Sequence, residues 1–142
     1  MKIIGFDLGS KTLGVAVSDY LGIIANPVGT YRFETNQLQD ALEYAKMVVK
    51  EHGAKKVVLG LPKNMNGSIG SQAQYSLDFK KMLEDNLAIE VILIDERLTS
   101  RIANQVMIKA DMSRKKRKIH VDKLAACIIL QAYLDSVPAY HS

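Results

Sequence analysis

The sequence predicts an α/β fold in one domain: a mixed five-stranded sheet, a three-strand meander followed by two parallel strands, with helices on both faces. Three observations carry this. Strand-like runs come first and close together, two later apolar runs are separated by a segment of helical period, and 142 residues make one domain of ordinary size with no room for a second lobe. Residues 1–138 are assigned to that domain and 139–142 to a C-terminal tail.

Residues 2–8 and 13–18 read as strands about the turn Gly9-Ser10-Lys11-Thr12, and 27–33 supplies the third strand of the meander. Over 36–52, Leu38, Ala41, Leu42, Ala45, Val48 and Val49 recur at helical spacing, and Gly53 stands where a left-handed helix end belongs. Residues 57–61 and 89–94 are continuous apolar runs with β-branched side chains, as in strands covered on both faces. A helix over 72–85 links them, which makes the pair parallel through a crossover. Beyond Asp95-Glu96, Thr99 or Ser100 is placed to cap a helix carrying Ile102, Val106 and Ala110, and after a basic block the last helix spans 122–135.

Composition narrows the class. With 48% hydrophobic and 24% charged residues the chain can build a core, which excludes a disordered or collagen-like protein. Its longest wholly apolar run, Leu124 to Leu130, is far short of the roughly 20 residues that span a bilayer, so a soluble cytoplasmic protein without a membrane partner is expected. Cys127 is the sole cysteine and is read as a buried core thiol, while His52, His120 and His141 show no zinc spacing. The formal charge of +4 is concentrated: Arg114-Lys115-Lys116-Arg117-Lys118 carries five positives, and all other residues together sum to −1. Such a block suits a phosphate backbone, since each neutralised phosphate releases counterions; a solvated loop is the plainer reading.

Three acids stand where chemistry is done. On the first strand Ile4, Phe6 and Leu8 share one face, and Ile3, Gly5, Asp7 and Gly9 the other. Asp7 is therefore flanked by glycines on its own face, and Gly14, Ala16 and Ser18 continue a shallow floor on the next strand. A carboxylate inside an apolar strand must be paired, hydrogen-bonded or bound to a cation, and open space beside it favours the cation; hydrogen bonds from the following turn are the plainer alternative. Glu96 follows a buried parallel strand at its carboxyl end, where open α/β sheets bind ligands, although a simple pairing with Arg97 also accounts for it. Asp122 is read as starting the last helix on a stripe with Ala125, Ala126 and Ile129, a position the helix dipole alone would also favour. Brought together, three carboxylates repel one another unless divalent cations neutralise them, and carboxylate oxygens suit Mg²⁺ or Mn²⁺, with two ions in phosphodiester hydrolysis.

Asp7-Leu8-Gly9-Ser10-Lys11, Leu13-Gly14-Val15-Ala16-Val17-Ser18-Asp19, Gly60-Leu61-Pro62 with Gly67, Asp95-Glu96-Arg97-Leu98-Thr99-Ser100 and Asp122-Lys123-Leu124-Ala125-Ala126 together resemble the signature blocks of the YqgF/RuvX-type nucleases over nearly the whole chain. The resemblance implies a ribonuclease H-like fold and hydrolysis of nucleic-acid phosphodiesters, either in 5′-end maturation of the 16S ribosomal RNA precursor or in resolution of Holliday junctions. It implies Asp7, Glu96 and Asp122 as metal-binding catalytic acids, and products with a 5′-phosphate and a 3′-hydroxyl. Lys11, Lys63, Arg97, Arg114, Lys115, Lys116, Arg117 and Lys118 are the expected nucleic-acid contacts, with the 62–70 loop over the substrate. Two departures stand out. Thr12 follows Lys11 where the family usually has a basic residue, and the middle acid comes one strand later than in related resolvases. Junction resolution calls for a twofold dimer, whereas end processing of one strand needs only a monomer.

Two rivals differ in class. Asp7-x-Gly9-x-Lys11-Thr12 also resembles the first phosphate loop of actin-like sugar kinases, but those close a second lobe over ATP that this length cannot supply. A non-catalytic nucleic-acid-binding module would keep the fold and the basic block and make no use of the acids.

Overall fold

The computed structural model describes residues 1–97 and 114–137, with the backbone alone described over 114–123. Five strands, β1 (Ile3–Leu8), β2 (Thr12–Ser18), β3 (Ala25–Arg32), β4 (Lys56–Leu61) and β5 (Glu90–Asp95), form one sheet in the order β3-β2-β1-β4-β5. The first three pair antiparallel as a meander, and β1, β4 and β5 run parallel. The predicted architecture is the observed one.

Helices α1 (Leu38–His52) and α2 (Ser71–Asn86) cover one face and α3 (Arg114–Ser136) the other. Alternation along β1 decides which face takes which helix. Ile4, Phe6 and Leu8 enter the larger core with Leu42, Val48, Phe79 and Leu83, where the Phe6 and Phe79 rings meet edge-on at 6.3 Å. Gly53 ends α1 at φ 63°, and Ala54 N–H closes the turn by donating to the Val49 carbonyl.

The opposite face is built from small residues so that α3 can lie close. A β-carbon placed on Gly5 would stand 2.7 Å from Leu130 Cβ and 3.0 Å from the Ala126 carbonyl oxygen, so only glycine fits beneath the helix. Ala16, Val58, Ala126, Ile129, Leu130 and Leu134 form this second, thinner core. Gln131 ties α3 to the β2–β3 connection, accepting from Ala25 N–H and donating to the Ile23 carbonyl.

Several expectations need correction. The last helix begins at Arg114, eight residues before Asp122, so the basic block is its first turns and not an intervening loop. Arg and Lys are good helix formers, and no Gly or Pro interrupts residues 114–136, so nothing in the sequence stops the helix there. Asp122 consequently lies within the helix, where a dipole at the N-terminus does not account for it. Helical conformation after β5 begins at Glu96, ahead of the expected Thr99 or Ser100 cap. Strand β3 begins at Ala25 and tolerates Pro27 because it is an edge strand, with a bulge that leaves Val28 without a partner on β2. Cys127 is part-buried beside the second core, not inside it. The helix expected around Ile102, Val106 and Ala110 and the 139–142 tail lie outside the described residues.

Candidate active site at the carboxyl edge of the parallel strands

Because β1, β4 and β5 are parallel, their carboxyl ends share one edge of the sheet, and Asp7, Lys11, Lys63, Glu96 and Arg97 lie at or just beyond it. Asp7 lies on the α3 face of β1, directly opposite Gly14 of β2, as the shallow-floor reading required. A β-carbon on Gly14 would touch Asp7 Cβ at 3.6 Å and Ala126 Cβ at 3.7 Å, so the aspartate sits under the helix with little bulk around it. Beyond Asp7 the chain turns tightly, Gly9 N–H donating to the Thr12 carbonyl at 2.8 Å, which leaves Lys11 exposed at the tip.

Glu96 comes from the other side. It leads the chain away from β5 on the α3 face, and its carboxyl crosses the end of β4 to reach Asp7, with which it is hydrogen-bonded. Gly60 makes that crossing feasible. A β-carbon there would stand 2.8 Å from Glu96 Cδ, 2.9 Å from Glu96 Cγ and 2.6 Å from Ile129 Cδ1. The acid that arrives one strand late is thus carried back by a side chain laid across a glycine. A glycine inside an otherwise bulky buried run was the available sequence signal for this position, and its role was missed.

Burial, then the Asp7 charge and its hydrogen bond, then the Asp95 charge, push the Glu96 carboxyl up to about 8. Two carboxyls held this close favour a proton or a cation between them. The plainer pairing of Glu96 with Arg97 is not what forms. Arg97 turns to Asp95 instead, its Nη2 donating to Oδ2 at 2.7 Å and its Nε to both oxygens at 3.1 Å, and its own N–H donating to Oδ1 at 3.0 Å. That pairing holds the Asp95 carboxyl below the usual carboxylate range. Arg97 Nη1 also donates to the Met65 carbonyl at 3.2 Å, fastening the 62–70 loop to the turn that bears Glu96. Lys63 leaves β4 at the same edge.

Asp122 is one helical turn before Ala126, the α3 residue nearest Gly14; its side chain, like those of Arg114, Lys115, Lys116, Arg117 and Lys118, lies outside the described residues. Among the described residues the site therefore unites Asp7 and Glu96. Their donor set is oxygen alone, without imidazole or thiolate, which fits a hard divalent cation.

A ribonuclease H-like sheet with a carboxylate pair at the carboxyl edge of its parallel strands is the arrangement of a nuclease class. Among known families, the one described as RuvX, Holliday junction resolvase, matches residues 1–136, and the chain belongs to it. A relative from Oceanobacillus iheyensis, named "Putative pre-16S rRNA nuclease", is 51% identical over 135 residues, covering 95% of this chain and 98% of its own. One of the same name from Clostridium beijerinckii is 50% identical over 137 residues, covering 96% and 98%. In fold the chain is similar to Thermus thermophilus RuvC solved with a Holliday junction substrate, with a TM-score of 0.61 at 13% identity over 96% of this chain and 98% of that one.

Proposed function

We propose that the chain is a metal-dependent nuclease acting on the 5′ end of the 16S ribosomal RNA precursor, with Asp7, Glu96 and Asp122 as its acids. The observation that carries this reading is the Glu96 carboxyl laid over Gly60 onto Asp7. The relatives' names support the RNA substrate, and the family description favours Holliday-junction cleavage as the second reading.

Asp7 and Glu96 would hold Mg²⁺ or Mn²⁺, with Asp122 completing the set from α3. When bound, a pair of such ions supplies Lewis-acid stabilisation of the attacking and leaving oxygens of a phosphodiester. The chain's own part is positional. Asp7 is fixed by the sheet, Glu96 by its course across Gly60, and both are sheltered by α3, so their oxygens need little rearrangement. The proton on the Glu96 carboxyl must leave before both groups can act as ligands, so loading is favoured at neutral to alkaline pH. Lys11, Lys63 and the 114–118 block would hold the backbone from three sides.

The test is cleavage of labelled precursor ribosomal RNA, four-way DNA junctions and plain duplexes, each with Mg²⁺, Mn²⁺ or EDTA. Metal-dependent cutting of the RNA by wild type, lost in Asp7→Asn, is the expected result; junction cutting alone would favour the second reading. Identical behaviour of wild type and Asp7→Asn on every substrate, with binding intact, would make the chain a binding module.

A further inference from the structure

Beside Asp7, on the β2–β3 side, lies a cavity of about 380 Å³ between the sheet and α3. Its floor is Gly14, its far wall the edge strand at Val28 and Thr30, and its roof Leu124 and Cys127 of α3. Three features create it. Gly14 contributes no side chain, the bulge carries Val28 out of register with β2, and α3 is held down further along at Gly5. Asp7 closes one end, and the other lining residues are apolar apart from Thr30 and Cys127.

From this shape we infer that the cavity receives the nucleoside next to the cut phosphodiester, and that the enzyme therefore acts on a strand unpaired at that position. The inference rests on the nuclease reading and adds a substrate class to it. On the nuclease reading, a ligand whose phosphate meets cations held by Asp7 and Glu96 and whose flat, largely apolar body extends towards β3 is a nucleotide. The volume lies near the lower end of the roughly 300–1,000 Å³ range of small-ligand sites, room for one nucleoside but not for a base pair. A base still stacked in a duplex cannot enter it, so a paired substrate would first have to release that base. Val28 and Leu124 offer aliphatic faces to the base, and the edge strand adds outward backbone groups that no other strand uses in the described sheet. The geometry does not choose between ribose and deoxyribose; oligonucleotides of both kinds are therefore compared.

Cys127, the only cysteine of the chain, reports on occupancy directly. Its alkylation by a small maleimide is followed in wild-type protein with Mg²⁺, alone and with non-cleavable phosphorothioate oligonucleotides, single-stranded or as blunt duplexes of matched sequence. Single strands should slow labelling by about tenfold or more at saturation, because an occupied cavity covers the thiol, while saturating duplex leaves it near the free rate. Protection by RNA alone or DNA alone would identify the sugar. In parallel, Cys127→Phe should raise KM for a substrate unpaired at the cut while sparing kcat, with circular dichroism monitoring the fold. Equal protection by single strands and duplex, or no protection by single strands that bind and whose phosphodiester counterparts are cut, would overturn the inference. A wild-type protein that cuts nothing but whose cysteine single strands still protect would overturn the nuclease reading and leave the cavity's preference standing.

Discussion

Gly60 has no side chain, and the candidate site depends on that. An added methyl group collides with the Glu96 stem and with Ile129 Cδ1, so Gly60→Ala must displace one or both. Cleavage by Gly60→Ala should fall by about 100-fold, the loss that a shift of roughly 1 Å in a catalytic group produces. Adding Ile129→Val removes the second collision; stability should recover, as read by thermal unfolding, while activity stays low. Recovery of activity in the double variant would show that Glu96 can be moved without harm. A second consequence concerns pH. With its carboxyl pushed from 4.5 up to about 8, Glu96 keeps a proton in the folded chain that the unfolded chain has already released. Metal-free stability should therefore decline as pH rises from about 4.5 to about 8 and level off above, and Glu96→Gln should flatten the decline. Thermal midpoints in EDTA across that range are the measurement. At this scale Asp7 was legible because its glycine neighbours lie on the same strand. The meeting of Gly60 and Glu96 was not, because it joins residues from adjacent strands whose register no local pattern reveals. The alternation of β1 also foretold that Gly5 and Asp7 share a face, while the pairing of Asp7 with Gly14 follows from the register of the structure.

Among the elements, α3 departs furthest from its sequence reading. Amphipathic spacing sets in only after the basic block, so the eye starts the helix at Asp122, whereas the backbone is helical from Arg114. Helix propensity, which five Arg and Lys residues satisfy, decided the boundary in place of hydrophobic period. The consequence is a concentration of positive charge on the first turns of the helix, where the helix dipole is itself positive. Such an end gains most from an anionic partner. Changing Lys115, Lys116 and Lys118 to Gln should weaken RNA binding and make its dependence on log salt shallower by roughly 0.7–0.9 for each phosphate no longer neutralised, with circular dichroism unchanged. Fluorescence anisotropy over a salt series reads this, and an unaltered slope would remove the block from the interface. Arg97 belongs to this scale too. Its bonds to Asp95 and Met65 join the 62–70 loop to the start of the turn after β5, which sets where Glu96 begins its course.

For the whole molecule, topology does what no single residue can. Three parallel strands deliver their carboxyl ends to one edge, an antiparallel hairpin sets Gly14 and the edge strand beside Asp7, and α3 crosses the sheet to cover both. The fold was legible because its order of strands and helices admits few arrangements once crossovers are right-handed. Asp122 was legible both from its helical stripe and as part of a motif, and its distance from Asp7 and Glu96 depends on how α3 lies over the sheet. The surplus charge follows the same plan. Apart from one block the chain is close to neutral, so on the proposed function attraction to nucleic acid is directed to one end of one helix.

The proposed function rests above all on Asp7 and Glu96 being held together to bind a cation. Calorimetric titration of Mn²⁺ into wild type, Asp7→Asn and Glu96→Gln at neutral pH tests this most directly. Wild type should bind, with protons released, and each variant should bind about tenfold more weakly or worse. Equal binding by all three would contradict the claim.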